Sequence, residues 1–252
     1  MKIIAVTQAR VGSTRLPNKV LMSINGKSLL DFHAERILKS SLIDELIVAT
    51  TMESRDDLIE SWANSKGLML YRGSEEDVLD RFYQAVKSEM PDYVVRLTSD
   101  CPLIDAELID KVIDFTTTNK LDYCSNTLSP TYPDGQDVEV FKFNALEKAW
   151  KEATLKSDRE HVTPFIWRNS TFKGGNIFNS TNFDESFKYG HIRMTVDEEK
   201  DFQLIEAIIT HLGDSKSWKQ YADFIINNPD ILSINSGISR NEGYFKSINK
   251  DK

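Results

Sequence analysis

Cysteine is scarce: the 252-residue chain has two, Cys101 and Cys124. They fit no metal-binding spacing and suggest no disulfide framework, so a reducing, cytoplasmic setting is the expectation. No apolar run approaches the roughly 18 residues of a membrane span, and the first residues lack the apolar core of a signal peptide. Excess positive charge is missing as well. The 31 Lys and Arg against 39 Asp and Glu leave a net charge of −8, which argues against nucleic acid as a partner. No internal repeat, low-complexity run or linker divides residues 1–252, which are read as one domain.

The cations that are present are unevenly placed. After the apolar run Ile3-Ile4-Ala5-Val6-Thr7 comes QARVGSTRLPNKVL, Gln8 to Leu21. Arg10, Arg15 and Lys19 share it with Gly12, Ser13 and Thr14. A strand running into a glycine-bearing basic loop is how α/β proteins surround phosphate oxygens with backbone N–H groups and cations. The order G-x-x-x-x-G-K-[ST] of a P-loop and the G-x-G-x-x-G of a dinucleotide fold are both lacking here. In an acidic protein such a loop points to a small anionic ligand.

Downstream, apolar runs alternate with amphipathic patterns. Strands are expected at Glu45–Thr51, Leu68–Tyr71 and Asp92–Leu97, and helices at Leu29–Ser40, Arg55–Lys66, Val78–Lys87 and Leu108–Asn119. This alternation predicts an α/β fold, a mixed and mostly parallel sheet with helices on both faces. Ligands in such sheets sit beyond the carboxyl ends of the strands, where the basic loop, Arg72-Gly73-Ser74 and Asp100 all fall. The second half is less regular. Strands are expected at Leu121–Asn126, Asp137–Phe143 and His191–Val196. Helices are expected at Asn144–Thr154 with Asn144 as cap, Arg159–Asn169 interrupted near Pro164, Lys200–Leu212 and Trp218–Asn227. Phe172–Asn182 reads as an exposed hairpin, and the polar stretch from Ser236 as a mobile end. An arm or hairpin insertion is placed roughly within 121–185.

Two carboxylates stand apart. Asp100 follows one apolar strand and Asp197 another. A Mg²⁺ site for nucleotidyl transfer needs one or two carboxylates on rigid elements plus substrate phosphates. Taken singly, either aspartate reads equally well as the N-cap of the following helix. Placed at one rim with the basic loop, they favour the metal. Glu75-Glu76-Asp77 reads as a solvated helix start, and His33 and His211 as surface or packing residues.

QARVGSTRLPNKVL and INGKSLL resemble the opening of the sugar cytidylyltransferases, the family of CMP-KDO and CMP-sialic acid synthetases. YRGSEEDVLDRFYQA, VVRLTSDCPLID, DGQDVEVF, SDREHVTPFI, HIRMTVDEEKDFQLI and RNEGY resemble its spore-coat polysaccharide branch, in order over nearly the whole chain. The resemblance implies a Rossmann-like nucleotidyltransferase domain, a homodimer built through a projecting arm, and Mg²⁺-dependent transfer of CMP from CTP to a sugar. It assigns Arg10, Gly12, Ser13, Arg15 and Lys19 to the triphosphate, with Gln8 and Ala9 beside the base, and Asp100 and Asp197 to the metal. Asp80-Arg81 aligns with a second nucleotide-side motif, and Arg72, Thr98 and Ser99 fall on the same side. Asp137, Glu139, Arg159, Glu160 and His161 are candidates for the sugar. DGQDVEVF reads equally as a strand with solvent-facing acids, and SDREHVTPFI as a helix capped by Ser157 or Asp158. One departure concerns the base: the KDO-type enzymes carry glutamine where this chain has Thr98. A different nucleoside triphosphate, a sugar 1-phosphate acceptor, or a catalytically silent nucleotide-binding homologue are the alternative readings.

Overall fold

The apolar opening run becomes the central strand. The strands are β1 (Ile3–Gln8), β2 (Ser23–Ile24), β3 (Lys27–Ser28), β4 (Glu45–Thr51), β5 (Met69–Gly73), β6 (Tyr93–Thr98), β7 (Tyr123–Ser125), β8 (Glu139–Lys142) and β9 (Ser180–Asn182). The helices are α1 (Leu29–Ile37), α2 (Asp57–Ser65), α3 (Val78–Val86), α4 (Ala106–Thr118), α5 (Phe143–Glu152), α6 (Lys156–His161), α7 (Pro164–Arg168), α8 (Glu199–Leu212), α9 (Trp218–Asn227), α10 (Pro229–Ser233) and α11 (Glu242–Ile248). The computed structural model describes residues 1–184, 189–240, 242–248 and 251.

Seven strands form one sheet in the order β5-β4-β1-β6-β8-β7-β9. β1 runs parallel to β4 and β6, and β4 parallel to β5, so four carboxyl ends share one rim. β8 is antiparallel to β6 and β7, and β9 is parallel to β7. Alternation along β1 splits the core. Ile3 and Ala5 pack with residues of α1 and α4 on one face, while Ile4 and Val6 pack with residues of α3 and α5 on the other. Gln8, at the end of the second series, therefore faces the α3 side. A third cluster joins Met194 and Val196 to Phe202, Ile205, Tyr221 and Ile225, carrying the chain around Asp197 onto α1 through Leu29 and Phe32.

Several expectations for the second half are corrected. Phe172–Asn182 is no exposed hairpin: β9 joins the main sheet, and Ser180 and Asn182 are buried. Gly174 does take a left-handed turn, but Gly175 is needed for close approach, since a Cβ there would sit 2.5 Å from the Asn169 carbonyl carbon. Within the segment expected to hold an arm, β7, β8 and β9 join the main sheet and α5, α6 and α7 lie between β8 and β9; Glu185 lies outside the described residues. His191–Val196 is extended but not a sheet strand. It is tied to the 134 and 100 loops by the Asp134–Arg193 bridge and by Val196 N–H donating to the Asp100 carbonyl at 2.8 Å. α5 begins at Phe143, with Lys142 rather than Asn144 at the cap position. α6 starts from Leu155 without a side-chain cap, and Val162, at φ 72°, separates it from α7. The polar end forms α11; Asn249, Lys250 and Lys252, at the tip read as mobile, lie outside the described residues.

Candidate active site

The basic loop is fastened by its neighbours. Ala9 N–H continues the ladder to the Ala49 carbonyl at 3.1 Å, and Val11 N–H donates to Asp56 Oδ1 at 2.7 Å. Asp56 is buried and accepts from the Thr51 hydroxyl on its other oxygen. Asn18 N–H closes the loop onto the Val11 carbonyl at 3.1 Å. Asn18 itself has φ 59°, a left-handed conformation that asparagine tolerates, and it turns the chain into the short 3-10 helix Lys19–Leu21. Ser13 Oγ accepts from Leu16 N–H at 3.4 Å.

Lys19 is thereby aimed between the two carboxylates. Its Nζ donates to Asp100 Oδ2 at 3.1 Å, to Asp197 Oδ1 at 2.8 Å and to the Val196 carbonyl at 2.8 Å. Arg15 reaches the same Asp197 oxygen at 2.9 Å. Neither aspartate caps a helix: Asp105 caps α4, and Glu198 stands at the start of α8. Burial works against both charges, but the ion pairing wins. The Lys19 ammonium is raised above its usual range by the charges of Asp100 and Asp197, and Asp100 is held well below the ordinary carboxylate range by Lys19 and by the Thr98 hydroxyl.

Behind them lies a network that was not foreseen. Arg193 donates to Asp134 at 2.6 Å, to Asp197 at 3.2 Å and to both oxygens of Asp201 at 2.9 Å. Asp201 also accepts from the Asp197 and Glu198 N–H groups and from Asn235. Asp197 is thus fixed through its side chain and its backbone. Arg193 and Asp134 both fall in segments singled out in the sequence, yet only their meeting across 59 residues gives them a role.

On the α3 side, Gln8 Oε1 and Arg81 Nε are buried without a hydrogen-bond partner among the described residues. Arg81 donates through another nitrogen to the Ser74 carbonyl at 3.1 Å, and burial, then the charge of Arg10, lowers it to about 10. The Thr98 hydroxyl lies 3.3 Å from Cys101 Sγ, and Ser99 N–H donates to the Gln8 carbonyl at 3.4 Å. Two nucleotide-side candidates are committed elsewhere. Asp80 accepts from Trp150 Nε1 at 2.8 Å, and Arg72 spends its donors on the Thr51 and Glu53 carbonyls, Asp57 and Glu60 at the sheet's edge.

The acceptor candidates separate in the same way. Glu139 opposes Arg96 across the β6–β8 ladder, pairs with it and accepts from the Tyr123 hydroxyl at 2.6 Å. Asp137 accepts from Arg240 at 2.6 Å, and burial raises it. Burial and the charge of Asp137 push neighbouring Asp134 up to about 7. His161 Nε2 lies 2.9 Å from Ser247 Oγ, whose hydroxyl donates to Glu160 at 2.8 Å. Burial, then Arg96, lowers His161 to about 4. Arg159, by contrast, clamps Asp77 at 2.6 Å and the Trp150 carbonyl, tying α6 to the start of α3.

Among the described residues no three His, Cys, Asp or Glu side chains are grouped to hold a metal. Asp100 and Asp197 offer two hard carboxylates about one ammonium ion. That donor set suits Mg²⁺, which takes one or two carboxylates and completes its shell with phosphate and water.

A family model for Cytidylyltransferase matches residues 4–231. Over 241 residues the chain is 43% identical to an uncharacterized protein of Methanocaldococcus jannaschii, covering 94% of this chain and 96% of that one. It is 32% identical to the spore coat polysaccharide biosynthesis protein SpsF of Bacillus subtilis, over 90% of this chain and 95% of that one. The solved structure of a cytidylyltransferase from Leptospira borgpetersenii superposes with a TM-score of 0.86 at 31% identity, over 95% of this chain and 98% of the other. Matched in sequence and in fold along nearly its whole length, the chain belongs to the sugar cytidylyltransferase family.

Proposed function

We propose that this enzyme transfers CMP from CTP to a hydroxyl of a sugar acid, releasing pyrophosphate, and so activates a sugar for surface polysaccharide or glycan synthesis. The observation that carries the reading is the convergence of Lys19 and Arg15 on Asp100 and Asp197 at the carboxyl ends of β1 and β6. The acceptor oxygen attacks the α-phosphorus, the bond to the β-phosphate oxygen breaks, and the hydroxyl proton passes to solvent. Asp100 and Asp197 would hold Mg²⁺, which when bound neutralises phosphate charge and favours the alkoxide form of the acceptor. Lys19 and Arg15 stabilise the charge growing on the departing pyrophosphate, and the fastened loop keeps them in line with it.

The similarity to a spore coat polysaccharide protein supports the sugar acceptor. Cytosine is supported by the match of the cytidylyltransferase family model to residues 4–231. The test is pyrophosphate release with each of the four nucleoside triphosphates, Mg²⁺ and a panel of sugar acids and sugar 1-phosphates. CTP with a sugar acid is the expected pair. Exclusive use of UTP or GTP overturns the cytidylyl assignment, and CTP binding without turnover on any acceptor favours a silent homologue.

A further inference from the structure

Arg55 was read only as the first residue of a helix. It belongs instead to the short 3-10 helix Ser54–Asp56 that follows β4, beside the Asp56 that fastens Val11. This anchoring sets its guanidinium over the basic loop. A Cβ on Gly12 would lie 2.7 Å from Arg55 Cζ and 2.9 Å from Nε. Gly12 is not among the residues with positive φ, so its backbone does not call for glycine. What it provides is room for Arg55.

Two guanidinium groups then meet on one carboxylate. Glu75 Oε1 accepts from Arg10 at 2.9 Å and from Arg55 at 2.6 Å. All three side chains keep substantial contact with solvent, the two arginines at 46% exposure each. Ion pairs that open to water hold weakly and exchange readily. A phosphate group presents the same planar-fork partner as a carboxylate and carries more charge. The cluster lies beyond β4, whereas Asp100 follows β6, on the opposite side of β1.

We propose that Arg55 is a further phosphate contact of the nucleotide, gripping the outer β- and γ-phosphates together with Arg10 across Gly12, and that Glu75 holds the two arginines until the triphosphate displaces it. The inference rests on the proposed reading of the loop as a CTP site. On that reading the triphosphate runs from Asp100 and Asp197 past Lys19 and Arg15, so cations farther out, beyond β4, would meet its outer oxygens.

Calorimetric titration of CTP and of CMP, with Mg²⁺, into the full-length wild type, Arg55→Ala and Glu75→Gln tests it. Arg55→Ala is expected to weaken CTP about tenfold, the scale of one charge-assisted contact, while CMP changes less than about twofold. Glu75→Gln is expected to tighten CTP about threefold, as removal of a weak competing ion pair should, with CMP again unchanged. CMP binding also reports that each variant is folded. Equal loss of CTP and CMP, or no loss of CTP, in Arg55→Ala overturns the contact. CTP binding no tighter in Glu75→Gln overturns the displacement. A wild type that binds neither nucleotide removes the underlying reading as well, which separates the two failures.

Discussion

Lys19 and Asp197 lie 178 residues apart in the chain and 2.8 Å apart in space. The lysine closes the basic loop and the aspartate closes an extended segment near the end of the fold, so the contact joins the two halves of the protein at one point. Under the proposed function, the two carboxylates around that ammonium ion would hold Mg²⁺.

Asp100→Asn and Asp197→Asn each remove one charge while keeping shape and hydrogen-bonding capacity. Each is expected to lower Mg²⁺-dependent pyrophosphate release by roughly 10²-fold or more, the loss typical when one preorganised charge is removed from a transition state. Thermal melts should remain cooperative, since Lys19 retains the other carboxylate. Near-normal rates in both variants would place the metal elsewhere.

Arg193 is the support behind Asp197. Arg193→Met leaves Asp201 buried without its cation and Asp134 with only the longer Arg240 contact at 3.6 Å, and breaking a buried network in this way costs about 3–5 kcal/mol. Urea denaturation measures it. If the variant folds, the Mg²⁺ concentration for half-maximal rate should rise, because Asp197 loses the guanidinium that orients it. A stability loss under about 1 kcal/mol would show that the network is solvated rather than buried.

The loop has its own fastening. Asp56→Ala deprives the Val11 N–H and the Thr51 hydroxyl of their acceptor, which costs roughly 2 kcal/mol in stability. The cations of the loop then lose their alignment, and KM for CTP is expected to rise roughly tenfold or more. A variant that loses stability with unchanged KM would show that the loop holds its shape without Asp56.

These contacts also mark what was legible beforehand. β1, the basic loop and the alternating strands and helices through Thr118 follow from local patterns, and the chain adopts them with shifts of a few residues. Asp100 and Asp197 were visible because each follows an apolar run. What local pattern does not carry is a partner far along the chain. The extended segment before Asp197 resembles a strand, but its hydrogen bonds go to the Asp134 and Asp100 backbones rather than to a ladder. β9 resembles half a hairpin, but it pairs in parallel with Tyr123–Ser125. Arg240 opens RNEGY, a resembling segment to which no role was assigned, and it reaches Asp137 across 103 residues. Arg72, expected on the nucleotide side, pairs with Asp57 and Glu60, and Arg159, a sugar candidate by its position in a resembling segment, pairs with Asp77.

His33 provides a pH signature independent of the nucleotide. It is buried, with Nδ1 2.9 Å from the Cys101 carbonyl and Nε2 2.8 Å from the Thr7 hydroxyl. The carbonyl can only accept, so Nδ1 carries the hydrogen and Nε2 accepts from Thr7, a neutral ring with both nitrogens satisfied. Burial holds its pKa down at about 4, against 6.5 when unfolded. Between those values the unfolded chain takes up a proton that the folded one refuses, so stability is complete above about 6.5 and declines as pH falls towards 4. The interval corresponds to roughly 3 kcal/mol at about 1.4 kcal/mol per unit. Urea denaturation from pH 7.5 to 4.5 should show His33→Gln less stable than wild type at neutral pH but losing less on acidification. Comparing the two slopes cancels the acid sensitivity of His161 and the opposing tendency of Asp134, whose raised pKa favours the folded state as pH falls. Parallel slopes would show that His33 accepts a proton without unfolding the protein.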